Sequence, residues 1–315
     1  MIELTQKRTY TQKHFRNEDG TFKTQAHLGH IHHKDIDGNF IDSDISFEDM
    51  GTYWEMTKHN YHLKVLKDFS APTLIEYKNV WEGNNHTITY DPVKLVWVNK
   101  TNLSDMVVFR NQQTVQGVLD GKVIKYMGAF GAGIDFEITL HRSGFKKEIV
   151  IQSLATLEAP PTPNHKLVAL FKYGGNAINV KNKANGVLWD KQGYMESLAG
   201  FEIQEADPIK KSIIKPAYII DSKTGVPNPQ PIKVFWKLHN GNLFQAKVFP
   251  KAFLQSAIYP VRADTVTAYY SGAGDGYVYS PSPGTGVWST AHDGTTGSSV
   301  DYTSATAYTH YCSYE

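Results

Sequence analysis

Four histidines, His27, His30, His32 and His33, fall within seven residues and are followed by Asp35 and Asp37. Imidazoles and carboxylates at this density are transition-metal ligand types. Residues i and i+2 of a strand share a face, so His30 and His32 could grip one ion together. A zinc site also needs a third ligand held by outer hydrogen bonds, and none is identifiable. The simpler reading is one strand of a hairpin that turns at Asp37-Gly38 and carries exposed polar histidines, and no metal is expected. Asp35-Ile36-Asp37-Gly38-Asn39 has the outline of a calcium loop, but the twelfth position from Asp35 is Ser46, not a bidentate Glu. Asp42 and Asp44 read as ordinary polar residues.

Other chemistry-shaped stretches dissolve in the same way. Gly128-Ala129-Phe130-Gly131-Ala132-Gly133 is glycine-rich but leads into a strand, whereas a phosphate cradle needs helix N-terminal amides. Nucleophile-elbow, zinc-protease and P-loop motifs are absent from the sequence. Paired carboxylates act through their separation in space, which spacing along the chain does not give. The expectation is a non-enzymatic protein without a cofactor. The candidate binding residues are Tyr277, Tyr279, Trp288 and Tyr302 in a Ser/Gly/Thr-rich setting. Aromatic faces with polar neighbours suit glycan and protein contacts alike, or fill the core of a small sandwich.

The elements that would position these groups are strands. Ile134, Phe136, Ile138 and Leu140 alternate with polar residues and share one face. His86–Tyr90, Lys94–Val98, Lys147–Ile151 and Ile232–Trp236 repeat the pattern with β-branched and aromatic residues. Asp19-Gly20, Asp37-Gly38, Asp120-Gly121 and Asn240-Gly241 supply the positive φ angles that tight hairpins need. The expected fold is mainly β: antiparallel β-sandwich domains with a C-terminal jelly-roll-like module. Helix is expected only as a short segment in Phe47–Thr57 and a turn or two in Pro250–Ser256.

Composition sets the remaining bounds. The chain has 315 residues, 41% hydrophobic and 20% charged, enough to bury real cores. Net charge is +1, without the basic excess of a nucleic-acid binder. The single cysteine, Cys312, excludes an intrachain disulfide framework. No apolar run approaches the roughly 18 residues of a membrane span, so no membrane insertion is expected. Met1–Arg8 lacks the apolar stretch of a secretory signal, so assembly in the cytoplasm is expected. All 32 basic residues and 26 of the 31 acidic ones precede position 263, giving +6 there against −5 afterwards. That shift marks a boundary. The proline-dense run 159–164 is either a linker or a rigid loop. The expected organisation is a β-sandwich region at 1–160, a second β region at 161–264 that is separate or continuous with the first, and a β module at 265–315, possibly incomplete.

Four stretches together resemble a family. Gly29-His30-Ile31-His32-His33-Lys34-Asp35-Ile36-Asp37-Gly38-Asn39-Phe40-Ile41-Asp42 is similar to a hairpin in the β-rich N-terminal regions of large bacterial wall-associated and Rhs-type proteins and of environmental phage proteins. Ile134–Val150, Pro216–Asp221 and Phe253–Asp264 resemble later strands of those regions, in the same order. Phe253 stands where Trp is usual and Thr265 where Pro is usual. After these, Tyr269 to Tyr308 resembles the opening strands of an attached jelly-roll-like module.

The resemblance implies a non-catalytic scaffold carrying other modules. It leads to the expectation of a bacteriophage virion structural protein: a head fibre, capsid decoration or tail appendage. Its partners would be copies of itself or other virion proteins, and possible host-surface glycans. The alternatives are a bacterial cell-surface or toxin-shell scaffold and, third, a carbohydrate-binding or carbohydrate-active protein.

Overall fold

The computed structural model describes residues 1–265 apart from 28–29, 81–84, 100, 143, 176–178, 208–209 and 224–228. The expected module at 265–315 therefore lies almost wholly outside the described residues. Two compact units divide the chain, with residues before 28 in one and residues 29–267 in the other. The first is a three-stranded antiparallel sheet of β1 (Ile2–Glu3), β2 (Gln12–Arg16) and β3 (Phe22–Ala26). Arg8 Nε donates to Glu3 Oε1 at 2.7 Å across its first turn, and Lys7 lies over the Phe22 ring.

The second unit begins with a hairpin of β4 (His32–Lys34) and β5 (Phe40–Asp42). The chain continues through β6 (Glu48–Asp49), β7 (Tyr53–Met56), β8 (Tyr61–Leu66), β9 (Ile75–Asn79), β10 (His86–Asn99) and β11 (Asn102–Asn111). There follow β12 (Val118–Asp120), β13 (Val123–Tyr126), β14 (Ile134–His141), β15 (Gly144–Ile151) and β16 (His165–Gly175). Then come β17 (Asn179–Asn182), β18 (Met195–Ser197), β19 (Phe201–Gln204), β20 (Lys211–Ile214), β21 (Ala217–Ile220), β22 (Gln230–His239) and β23 (Asn242–Val248). One helix, α1 (Lys251–Ser256), precedes β24 (Val261–Thr265).

Strands β17, β19 and β20 form a small antiparallel sheet of their own, and most of the others build two antiparallel walls. One runs β12-β13-β14-β15-β24-β21. The other runs β22-β23-β16-β10-β9-β8-β7-β6, with β11 beside β10 and β18 beside β22. Strand β22 serves both. Its residues Gln230–Ile232 pair with β21, and Lys233–His239 pair with β23. A single strand thus carries the ladder from one wall to the other, as strands that switch sheets do at the corners of packed sheets.

Alternation explains why the walls meet. Ile134, Phe136, Ile138 and Leu140 are all at most 2% exposed, as the period-2 pattern predicts. Phe136 reaches Phe171 of the facing wall at 6.4 Å between ring centroids and Phe69 at 5.4 Å. Phe69 also packs edge-on against Phe130 at 5.4 Å, the arrangement that aromatic quadrupoles favour. Tyr61 and Tyr126 tie the walls by hydrogen bonds: the Tyr61 hydroxyl meets the carbonyls of His141 and Gly144, and the Tyr126 hydroxyl donates to the Leu66 carbonyl.

Local chemistry agrees with most of the sequence reading. The β22–β23 hairpin closes on Asn240 and Gly241 at φ 47° and 73°, both left-handed as a two-residue turn requires. Helix α1 forms where Pro250–Ser256 suggested. The run 159–164 is a loop leading into β16, beyond the 3-10 turn at Leu154–Thr156.

The short helix expected in Phe47–Thr57 is instead the β6–β7 hairpin, turning at Gly51 with φ +85°. Trp54 and Met56 bury alternately against the core, and no helix would put i and i+2 on one face.

Phe136→Ala is expected to cost about 3–5 kcal/mol by opening a cavity between the walls, read as a shift in urea midpoint at unchanged slope. Gly200 lies at φ +84°, where an added Cβ would sit 2.3 Å from the Ile214 carbonyl oxygen. Gly200→Ala should therefore cost about 2 kcal/mol or more.

Candidate functional site

The densest group of titratable side chains outside ordinary ion pairs lies where the β4–β5 hairpin meets the β7–β8 turn. The hairpin folds locally as expected: Asp35 Oδ1 accepts the amides of Asp37 and Asn39, forming the turn that the sequence favoured over a calcium loop. Its histidines are not simply exposed. His32 is fully buried, because the hairpin lies against the β7–β8 turn. Asn60 Nδ2 donates to the His32 carbonyl at 2.7 Å, and the Asp44 amide donates to the Lys58 carbonyl at 2.9 Å. His32 Nε2 also lies 3.5 Å from Asp42 Oδ1.

His59, in that turn, is the group which sequence reading missed. It is 2% exposed, and neither ring nitrogen makes a hydrogen bond of good geometry. Its ring stacks on His30 at 6.5 Å and tilts against Tyr61 at 4.9 Å. Burial lowers its pKa to about 4; the His30 main chain opposes this, while the charges of His30, Arg142 and His33 add to it. Burial is likewise the main cause of the lowered values of His33, His62 and His141. The structure thus brings His30, His33 and His59 together, but among the described residues no group of three His, Cys, Asp or Glu is arranged to hold a metal ion.

A second cluster lies across β14, β15 and β24. Glu137 and Glu148 sit directly opposite each other on adjacent strands, a placement that is unfavourable for like charges. Arg262 resolves it by reaching both, at 2.6 Å and 3.3 Å, and Lys146 reaches Glu148 at 2.7 Å. Burial works against the Arg262 charge, but the hydrogen bond it donates to Glu137 and the charges of both glutamates outweigh it, and its pKa is raised. The two carboxylates are 9% and 5% exposed and are committed to this pairing.

The third cluster is inside the core. Lys147 is 5% exposed, with its ammonium 4.4 Å from the Tyr90 ring centroid and 5.6–6.0 Å from those of Phe145, Phe171 and Tyr173. Lys247, 1% exposed, lies 4.7 Å from the Phe171 ring. Cation–π attraction offsets part of the desolvation of these amines. Burial pushes the Tyr61, Tyr77 and Tyr90 phenols far above their ordinary range, so they stay neutral. The signal for Lys147 was strand parity, since it shares a face with Phe145, Ile149 and Ile151. His59 left no comparable signal.

The candidate binding residues Tyr277, Tyr279, Trp288 and Tyr302 lie outside the described residues. What the described surface does offer is β11. It pairs with β10 and, among the described residues, with no other strand. Its Met106, Val107 and Val108 are 43–46% exposed. No family model matches the chain, and neither a curated protein nor a solved structure matches it.

Removing Arg262 leaves two nearly buried glutamates facing each other. Arg262→Ala is expected to cost about 1–3 kcal/mol, discounted for the partial exposure of the guanidinium. Adding Glu148→Gln should recover part of that loss, as a double-mutant cycle in urea will report.

Proposed function

We propose that this chain is a non-enzymatic structural protein of a bacteriophage virion, a head fibre, capsid decoration or tail appendage, assembled in the host cytoplasm. The observation that carries this reading is the edge strand β11, which presents three consecutive half-exposed apolar residues beside main-chain groups suited to strand pairing. An edge of this kind supports assembly by strand addition, in which main-chain hydrogen bonds give affinity and apolar side chains give register. The titratable clusters support the same reading. The Glu137–Glu148–Arg262 group and the caged lysines are enclosed by neighbours that account for their positions, as expected of a load-bearing scaffold. The partners would be copies of the chain or other virion proteins.

The test is sedimentation of the full chain at micromolar concentration, together with imaging of native particles. The expected result is an oligomer or a particle-bound protein. Val107→Lys should weaken that association by about tenfold or more without lowering the melting temperature. A monomer that binds no capsid or tail would move the assignment to a bacterial surface scaffold.

A further inference from the structure

We propose that the β7–β8 turn and the hairpin over it form an acid-sensitive latch, in which protonation of His59 frees residues 30–45 while the two walls stay folded. His59 is sealed between His30 and Tyr61; neither ring nitrogen makes a hydrogen bond of good geometry, and the His30 main chain only partly offsets its burial. The charged and titratable groups that face it are His30 and His33 from the hairpin, Arg142 from the β14–β15 turn and Tyr61 at the start of β8. None of these can become an anion near neutral pH.

The nearby carboxylates are engaged elsewhere. Asp42 lies beside His32, Asp35 holds its own turn, and Glu48 and Asp44 act on Lys58. A proton on His59 therefore has no counterion, and the accessible relief is to expose the ring to water.

Among the described residues the cover is a two-stranded sheet of its own, which no strand ladder joins to the walls. Hydrogen bonds from Asn60 to the His32 carbonyl and from Asp44 to the Lys58 carbonyl are among those that join it to the turn. Ile31 and Ile45 add its buried apolar contacts. By contrast, the walls are joined by continuous ladders through β22.

The direction follows from linkage. The closed state holds His59 at about 4 against an ordinary 6.5, so closure is favoured fully above pH 6.5 and lost as pH falls toward 4. Between pH 7.5 and pH 5 the opening equilibrium rises about thirtyfold.

Hydrogen exchange of the full chain across that pH range, corrected for intrinsic rates, tests the latch. Peptides within 30–45 should gain about thirtyfold in opening, while peptides of β14 and β15 stay protected. His59→Phe should remove most of the response, leaving the smaller part that burial of His33 contributes. Arg142→Gln, at an exposed position, should reduce it by lifting one source of repulsion, and it serves as the test if His59→Phe fails to fold. Opening of 30–45 that ignores pH, that rises together with the walls, or that persists unchanged in both variants would overturn the proposal.

Discussion

The packing of Phe136 on Phe171 and Phe69 closes the space between the two walls, and many features of the second unit follow from keeping that space dry. The strands flanking Phe136 place Ile134, Ile138 and Leu140 on the same face, and the facing wall answers with Leu167, Ala169 and Phe171. Aromatic rings fill the gap with large area and few rotamers, so the ordering cost per buried surface is low. Polar groups that enter the gap must then be compensated inside it. Lys147 and Lys247 meet ring faces, and Tyr173 donates to Gln245 Oε1 at 3.1 Å. A core that held these groups without such neighbours would lose several kcal/mol for each.

The outer face of the β14–β15–β24 wall obeys a different rule. There the carboxylates of Glu137 and Glu148 are brought together by register, not by attraction, and Arg262 from a strand more than a hundred residues later neutralises the result. Late pairing of β24 with β15 therefore completes an arrangement that the β14–β15 hairpin alone leaves frustrated. The ion network and the strand order depend on each other.

Much of this architecture was legible in the residues. A strand with one dry face announces itself by alternation, which is why Ile134–Leu140 could be assigned to a buried face. Asp-Gly and Asn-Gly announce tight turns by their tolerance of positive φ. The failures share a cause. The β6–β7 hairpin is too short for its period to show, so Phe47–Thr57 read as helix. The burial of His32 and His59 comes from a non-local contact, the hairpin laid over the turn through Asn60 and Lys58, and nothing within either segment encodes it. Lys147 lies between these cases: parity with Ile149 and Ile151 points it to the inner face, while its charge points to the outer one. The clusters that could do chemistry were thus the least readable part, because each is assembled from strands far apart in sequence.

Strand β22 carries a mechanical consequence. Because its first residues are bonded to one wall and its later residues to the other, tension along it is borne in shear by two ladders at once. Ladders loaded in shear must break many hydrogen bonds together, whereas an edge peeled from its neighbour gives way one bond at a time. Neither wall can slide off without breaking the pairing of this strand with its partners in the other. The coupling of the two walls thus runs through the ten residues of one strand.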